Sequence, residues 1–419
     1  MDGNGFRRWM IGVIFLIGSP VLAGELNLPD GFEASVFHPG VGRARHIAIA
    51  ENGDIYVRLA TSHANPGVLR LRDGDGDGRA DSVRRVVSDQ GGTGIEIRNG
   101  QLFYSTNTAV YSLPLGEKGE EEQAPPSPRK VIGGFSRQGQ HAAKSLALTA
   151  DGRAFVNVGA PSNACQEESR TPGSPGRRPC PLLERHGGVW SFDPDKTGQA
   201  QGDADRFVTG MRNAVALAWH PVAESLYLVQ HGRDQLYSLW PAHYTTEENA
   251  ALPAEEFHRV EAGDDLGWPY TYYDGSRDRR MQAPEYGGDG EMPAKEDYRE
   301  PLVAFPAHWA PNDLVFYTGT GFPEKYRNGA FVAFHGSWNR APEPQAGYRV
   351  TFVPMNEEGE VVGQWQDFAT GFAGVEVIRS PSQARHRPMG LAVGPGGNLY
   401  VADSVAGRIW KIRFTGASE

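Results

Sequence analysis

The sequence predicts an all-β protein: a six-bladed β-propeller of four-stranded antiparallel blades. Three observations carry that prediction. One phrase returns along the chain: IAIAENGDIYV from Ile47, LALTADGRAFV from Leu146, LAWHPVAESLYLV from Leu217 and LAVGPGGNLYV from Leu391. Each copy is an apolar run, a turn rich in Gly, Asp or Pro, and a second run ending on an aromatic and a valine, which is the pattern of a β-hairpin. The composition agrees, since 53 Gly and 30 Pro with 15 Tyr and 9 Trp favour turns and half-buried strands over helices. The recurrence itself agrees too, because one hairpin pattern returning along the chain is the mark of a repeat architecture.

The elements follow in chain order. Arg7-Arg8, the mostly apolar stretch from Trp9 to Leu22 and Val21-Leu22-Ala23 predict a secretory signal peptide over residues 1–23. An uncleaved anchor is the alternative, although the run is short for a membrane span. Two weaker copies of the hairpin start at Gly94 and Leu314, which raises the count to six. Residues 24–419 then form one domain at roughly 66 residues per unit, enough for compact blades of about 40–50 residues with long loops. Alternating segments after the hairpins predict third strands at Gly67–Leu71, Ala109–Leu113, Gly188–Phe192, Gln235–Leu239 and Gly407–Ile412. The last of these, running to Phe414, is expected to close the ring against the segment Phe32 to Phe37. Long polar insertions at 117–129, 166–185 and 241–299 are expected on one face, where a rigid scaffold places its variable loops.

Cys165 and Cys180 are the only cysteines. In an exported chain, two cysteines 15 apart predict one local disulfide pinning a loop. No CxxCH motif marks a covalently held haem. The net charge of -10 argues against a nucleic-acid partner.

The polar residues cluster at one point of the repeat, immediately before each first strand. Those positions hold His46, Thr93, His141, Arg212 with Asn213, His308, and Arg385 with Arg387. In a propeller, equivalent positions of every blade meet at one mouth of the central channel. Water filling that mouth accounts for polarity in general. It does not account for arginines gathering in an acidic protein, because like charges repel unless an anion lies among them. The expected ligand is a multiply anionic, planar molecule.

These residues also carry a family resemblance. Arg212-Asn213, the Gly267-Trp268-Pro269 turn, Ala333 to Arg340 (AFHGSWNR) and Arg385-His386-Arg387-Pro388 together resemble the soluble pyrroloquinoline quinone (PQQ)-dependent sugar dehydrogenases, in the aldose and sorbosone dehydrogenase branch. The likeness covers nearly all of the chain after the leader. It implies a six-bladed propeller binding PQQ and Ca²⁺ above the channel, with His141 as the base. It also implies cofactor contacts from Arg212, Asn213, His308, Arg385 and Arg387, with His335 or Arg340 standing where the family has a lysine. Gly232 and Arg233 match the backbone-carbonyl metal ligands. Two positions depart from the pattern: Gln140 stands where glucose-oxidising members have Asp, and Arg233 where Pro is frequent.

A separate acidic turn, Asp73, Asp75, Asp77 and Asp81, has the spacing of the first part of a calcium loop but lacks its final bidentate Glu. Structural Ca²⁺ and a solvated turn both remain open there. The expected function is a periplasmic or secreted PQQ-dependent dehydrogenase oxidising an aldose or sugar aldehyde. It would work with a soluble electron acceptor and without membrane insertion after leader cleavage. Two rivals stand beside it. A calcium-dependent lactonase would need carboxylates and Asn around a central ion. A non-catalytic propeller would be indifferent to loss of His141.

Overall fold

The computed structural model describes residues 26–116 and 127–416. The expected signal peptide and most of the first insertion lie outside the described residues. Six antiparallel blades of four strands surround a central channel, and short parallel strands at Asp264–Asp265 and Gln199–Ala200 add a fifth to two of them, where four were expected. Blade 1 is built from Ala44–Ile49, Ile55–Leu59, Gly67–Arg72 and Ser82–Ser88. Blade 2 runs through Ile95–Arg98, Gln101–Ser105, Val110–Pro114 and Arg129–Gly133. Blade 3 comprises Leu146–Leu148, Ala154–Val158, Gly188–Phe192 and Asp205–Thr209. Blade 4 holds Ala216–His220, Ser225–Gln230, Glu255–Val260 and Val303–Phe305. Blade 5 holds Pro311–Phe316, Ala330–Phe334, Arg349–Val353 and Gln366–Ala369. Blade 6 takes Pro388–Val393, Leu399–Asp403 and Ile409–Phe414 from the end of the chain and Phe32–His38 from its start.

The repeated phrase is the inner hairpin of every blade. Equivalent pairs face each other across it: Ile47 and Val57, Leu146 and Val156, Leu217 and Leu228, Leu391 and Val401. The weaker copies obey the same register, with Ile95 opposite Tyr104 and Leu314 opposite Val332. Neighbouring first strands touch all the way round the ring. Their apolar faces pack blade on blade rather than into one central core. Between blades 5 and 6, for example, Phe331 and Phe352 meet Leu391, Val401 and Trp410. Between blades 2 and 3, Phe103 and Val131 meet Val156 and Trp190.

One expected strand is a helix. Gln235–Leu239 was predicted as the third strand of blade 4, yet Leu236–Leu239 forms a helical turn and the third strand is Glu255–Val260. The buried pair Leu236 and Leu239 explains it. Residues three apart share a face of a helix and fall on opposite faces of a strand. Gln235, at φ 64°, turns the chain out of the blade just before this helix. The insertion that follows has structure of its own. A helix at Thr246–Ala251, capped reciprocally by Thr245 and Glu248, and a hairpin of Thr271–Asp274 with Arg279–Gln282 pack around Tyr244, Tyr272 and Met281.

The ring closes by β-pairing between the chain ends, from Phe32 opposite Phe414 to His38 opposite Ile409. The Phe32 ring seals the joint edge-on against Phe322, Tyr326 and Phe368 at 4.8–5.3 Å. Phe32→Ala is expected to cost about 2–3 kcal/mol, slightly less than a fully buried phenylalanine. Urea unfolding should show a lower midpoint with fluorescence and circular dichroism still coincident. Loss of that coincidence would mean that the blades unfold separately.

Candidate active site

His141 sits in the segment entering blade 3 with a left-handed backbone, φ 51°. Side chains rather than a ladder hold this segment. The Gln138 amide nitrogen donates to the carbonyls of Gln140, His141 and Gly159 at 2.8, 2.8 and 2.9 Å. The fully buried Lys144 ammonium donates to Ala142 O at 2.8 Å. His141 Nδ1 lies 2.6 Å from Ala160 O. A carbonyl can only accept, so Nδ1 carries the proton and Nε2 keeps its lone pair. Burial, then the nearby Arg212 cation, lower the His141 pKa to about 3. The imidazole is therefore neutral at ordinary pH, with its Nε2 lone pair available.

Arg212 and Asn213 are brought to His141 by residues 159 and 160. Ala160 N donates to Arg212 O at 2.8 Å while its own carbonyl takes the imidazole proton. Gly159 is clamped between the two residues: a Cβ there would stand 2.5 Å from Asn213 Oδ1 and 2.7 Å from His141 Cβ. Asn213 Oδ1 accepts from Asn157 Nδ2 at 3.1 Å, so the Asn213 amide turns its donors elsewhere.

Asp234 is the residue that sequence reasoning missed. Its Oδ2 accepts from Arg212 Nη2 at 2.5 Å and from Arg170 Nη2 at 3.0 Å, and its Oδ1 accepts from Asn339 Nδ2. Asn163 grips its backbone from both sides, at 2.8 and 2.9 Å. Burial pushes the carboxyl up, but Arg212, His308 and Arg170 outweigh it and hold the pKa at about 2. Gln140 does not orient the histidine; its Oε1 faces Arg170 Nη2 at 3.4 Å. No repeat position in the sequence marks Asp234, which lies four residues past the blade 4 hairpin.

The other cations line a separate part of the mouth. A pocket of about 450 Å³ is walled by Arg43, Arg45, Arg387 and His335 with Ser62, Ser382 and Ser404. Among the described residues no carboxylate lines it. Arg387 is aimed by two carbonyls, His335 O at 3.0 Å and Gly336 O at 2.6 Å. Arg45 Nε donates to Thr93 Oγ1 at 3.1 Å. Burial, then Arg387 and Arg45, hold the His335 pKa well below its ordinary value, and its Nε2 meets Ser404 Oγ at 2.7 Å.

Of the seven expected cofactor residues only His335 and Arg387 line this pocket; Arg212 and Asn213 lie beside His141, and the other three are placed elsewhere. Arg385 is exposed beside Gly374. Arg340 braces the carbonyls of Ala250 at 2.5 Å and Pro344 at 3.0 Å. His308 is buried with Nε2 2.8 Å from Asn249 O.

Gly232 and Arg233 follow the blade 4 hairpin. No described donor reaches their carbonyl oxygens. The Arg233 guanidinium pairs with Glu285, both buried, so its charge is neutralised by a carboxylate. Gly232 N donates to Glu255 Oε2 at 2.8 Å. Burial pushes the Glu255 carboxyl up to about 8. In the acidic turn, the ligand atoms of Asp73, Asp75 and Asp81 lie within 4.8 Å of one another, and Asp77 stands apart, accepting from Arg79 N at 2.7 Å. Backbone amides already satisfy this turn: Gly76 and Gly78 donate to Asp73 at 2.8 and 2.9 Å, and Gly74 to Asp81 at 2.6 Å. Cys165 and Cys180 form a disulfide with Cα atoms 6.2 Å apart.

A family model described as TrAA12-like matches residues 26–415. The chain belongs to the TrAA12-like family. The AA12 carbohydrate-active enzyme of Trichoderma reesei is 18% identical, with 95% of this chain and 99% of that one aligned at a TM-score of 0.75. The PQQ domain of the Coprinopsis cinerea pyranose dehydrogenase, in its holo form, is 20% identical over 95% and 99%, with a TM-score of 0.73. The soluble aldose sugar dehydrogenase of Escherichia coli is 14% identical over 91% and 99%, at 0.56. At these identities the likeness shows a shared fold. Among curated sequences, the PQQ-dependent pyranose dehydrogenase of C. cinerea is 32% identical over 128 residues, 27% of this chain and 16% of that protein. An uncharacterized protein of Borreliella burgdorferi is 24% identical over 206 residues, 49% and 48% of the two chains. The chain thus matches less than half the length of these curated relatives.

Two measurements test the site of this TrAA12-like protein. Gly159→Ala should cost about 1–3 kcal/mol, the usual range for overpacking. Gly139→Ala, with nothing within 4 Å of the new methyl, should cost little. Equal unfolding midpoints for the two variants would contradict the clamp. Burial lowers the Lys144 pKa to about 7, below its unfolded value. Between pH 7 and about 10 the unfolded chain therefore binds more protons at this site, and stability should rise with pH. Lys144→Met should flatten that slope in a series of denaturation curves.

Proposed function

We propose that this protein is an exported PQQ-dependent dehydrogenase that oxidises the hemiacetal carbon of an aldose, or a sugar aldehyde. One observation carries the reading: a neutral histidine, its Nδ1 held by Ala160 O, stands beside the Arg212 cation, and a carboxylate-free pocket of arginines opens elsewhere at the channel mouth. The relatives named above support the oxidoreductase class. The leader expected over residues 1–23 and the disulfide support export.

The residues present fit a planar tricarboxylate. Arg45 and Arg387, with Arg43 at the edge, suit carboxylate groups, which guanidinium forks bind in two-point fashion. Arg212 keeps a buried Nε with no partner among the described residues, and Asn213 keeps its amide donors. The free carbonyls of Gly232 and Arg233 suit a hard cation such as Ca²⁺. Bound PQQ would supply an ortho-quinone able to accept a hydride. The protein's part is proton removal: Nε2 of His141 takes the hydroxyl proton at C1 of the hemiacetal, or of the aldehyde in its hydrated form, as the C1–H bond breaks. Ala160 O holds the opposite nitrogen protonated and fixes the ring. A lactonase would need carboxylates facing the mouth, whereas Asp234 is committed to two arginines and Asn339.

The test is to titrate apoprotein with PQQ and Ca²⁺ and follow aldose-dependent dye reduction. His141→Gln should retain PQQ absorbance and lose about 10²–10⁴ in kcat. With the His141 pKa at about 3, the base form persists down to about pH 4, so kcat should show no imidazole step between pH 8 and 5. No retained PQQ and no turnover across a panel of aldoses and aldehydes would overturn the proposal.

A further inference from the structure

Arg170 stands at the tip of the loop closed by Cys165 and Cys180, and nothing in the repeat pattern pointed to it. Its backbone is left-handed, φ 55°, and its N–H donates to Gln166 Oε1 at 3.0 Å. A non-glycine residue holds that conformation only where its surroundings enforce it. Here the loop is tied down along its length. Gln166 Nε2 donates to Thr171 O and Ser174 O at 3.1 and 3.2 Å. Gly173 N donates to Leu239 O at 3.0 Å, and Gly176 N to Glu285 O at 2.9 Å. Cys180 N donates to Tyr270 OH at 2.9 Å.

The guanidinium so delivered reaches three acceptors: Gln140 Oε1, Gln235 Oε1 and Asp234 Oδ2. Two of the three are neutral amides. The one carboxylate oxygen is the same atom that Arg212 holds. Two cations therefore share one anion, and the cluster carries an excess positive charge beside the mouth. Without Arg170, Asp234 would belong to Arg212 alone, and the pair would be neutral. Arg212 would then offer its unpartnered Nε to an anion with its charge already cancelled.

We propose that Arg170 is a positioning residue that divides Asp234 and so leaves Arg212 cationic toward an anionic cofactor, and that the Cys165–Cys180 bridge is what keeps Arg170 in place. The inference rests on the PQQ reading above. It makes cofactor affinity, rather than the fold, sensitive to the redox state of this bridge. The order is from disulfide to loop tip, from Arg170 to Asp234, and from Asp234 to Arg212.

The experiment is a PQQ titration of Ca²⁺-supplemented apoprotein, read by quenching of tryptophan fluorescence, at low and high salt. Arg170→Gln should raise the Kd about tenfold, as expected for one charge removed at short range in a partly desolvated site. Its salt dependence should become shallower, and its thermal midpoint should stay close to that of the parent. Arg170→Lys should recover most of the affinity. The double variant Cys165→Ser/Cys180→Ser should show the same loss, and combining it with Arg170→Gln should add nothing further. Equal Kd values for the parent and Arg170→Gln would overturn this inference alone. Absence of PQQ binding by the parent would overturn the cofactor reading together with it. If the serine variant fails to fold, parent protein reduced with dithiothreitol takes its place, and a Kd unchanged by loss of the bridge would overturn the bridge's part in holding Arg170.

Discussion

The β-pairing of Phe32–His38 with Ile409–Phe414 is the interaction on which the rest of the structure depends. It places both ends of the described chain in one blade and turns a row of hairpins into a ring. Each blade buries its apolar face only against its neighbours, as between blades 5 and 6 or blades 6 and 1. An open row would leave two such faces in water, so closure is what completes the core. Closure also makes the six first strands neighbours around one channel. Residues as distant in sequence as His141 and Arg387 become parts of one mouth for that reason.

The mouth concentrates positive charge in a protein whose overall charge is negative. The structure distributes that charge in two ways. Arg45 and Arg387 line a pocket free of carboxylates, aimed by Thr93 and by backbone carbonyls. Arg212 and Arg170 instead share Asp234. The first arrangement leaves cations in need of an anion, and the second tunes how much charge remains. His141 lies beside the second cluster, and the Arg212 cation, after burial, helps keep its imidazole neutral. Electrostatics and proton chemistry are thereby set by the same few residues.

Much of this was legible in the sequence. The hairpin phrase falls on the inner strands of the blades to within about three residues at each start, and the six-fold count matches. The strand that was misread shows the limit of a period argument: Leu236 and Leu239 carried a helical spacing inside a segment that also alternates. Asp234 and Arg170 were not legible, because neither belongs to the repeat. Arg170 lies in the insertion 166–185 and Asp234 just past the blade 4 hairpin, and their side chains meet only after blades 3 and 4 stand side by side. Arg385 was expected beside Arg387, and Arg340 in place of the family's lysine, yet Arg340 braces loop carbonyls and Arg385 is exposed.

By itself the sequence determined the fold class, the number of blades and the entry positions where polar residues gather. Those are set by local alternation and turn chemistry, which act over a few residues and survive without knowledge of neighbours. The tertiary structure decided which of the gathered cations are free, which are paired, and which histidine nitrogen keeps its lone pair. Pairing between charges depends on distances of 2.5–4 Å across blades, and a difference of one rotamer or one loop turn changes the partner. That information arises only once the ring has closed and the insertions have packed upon it.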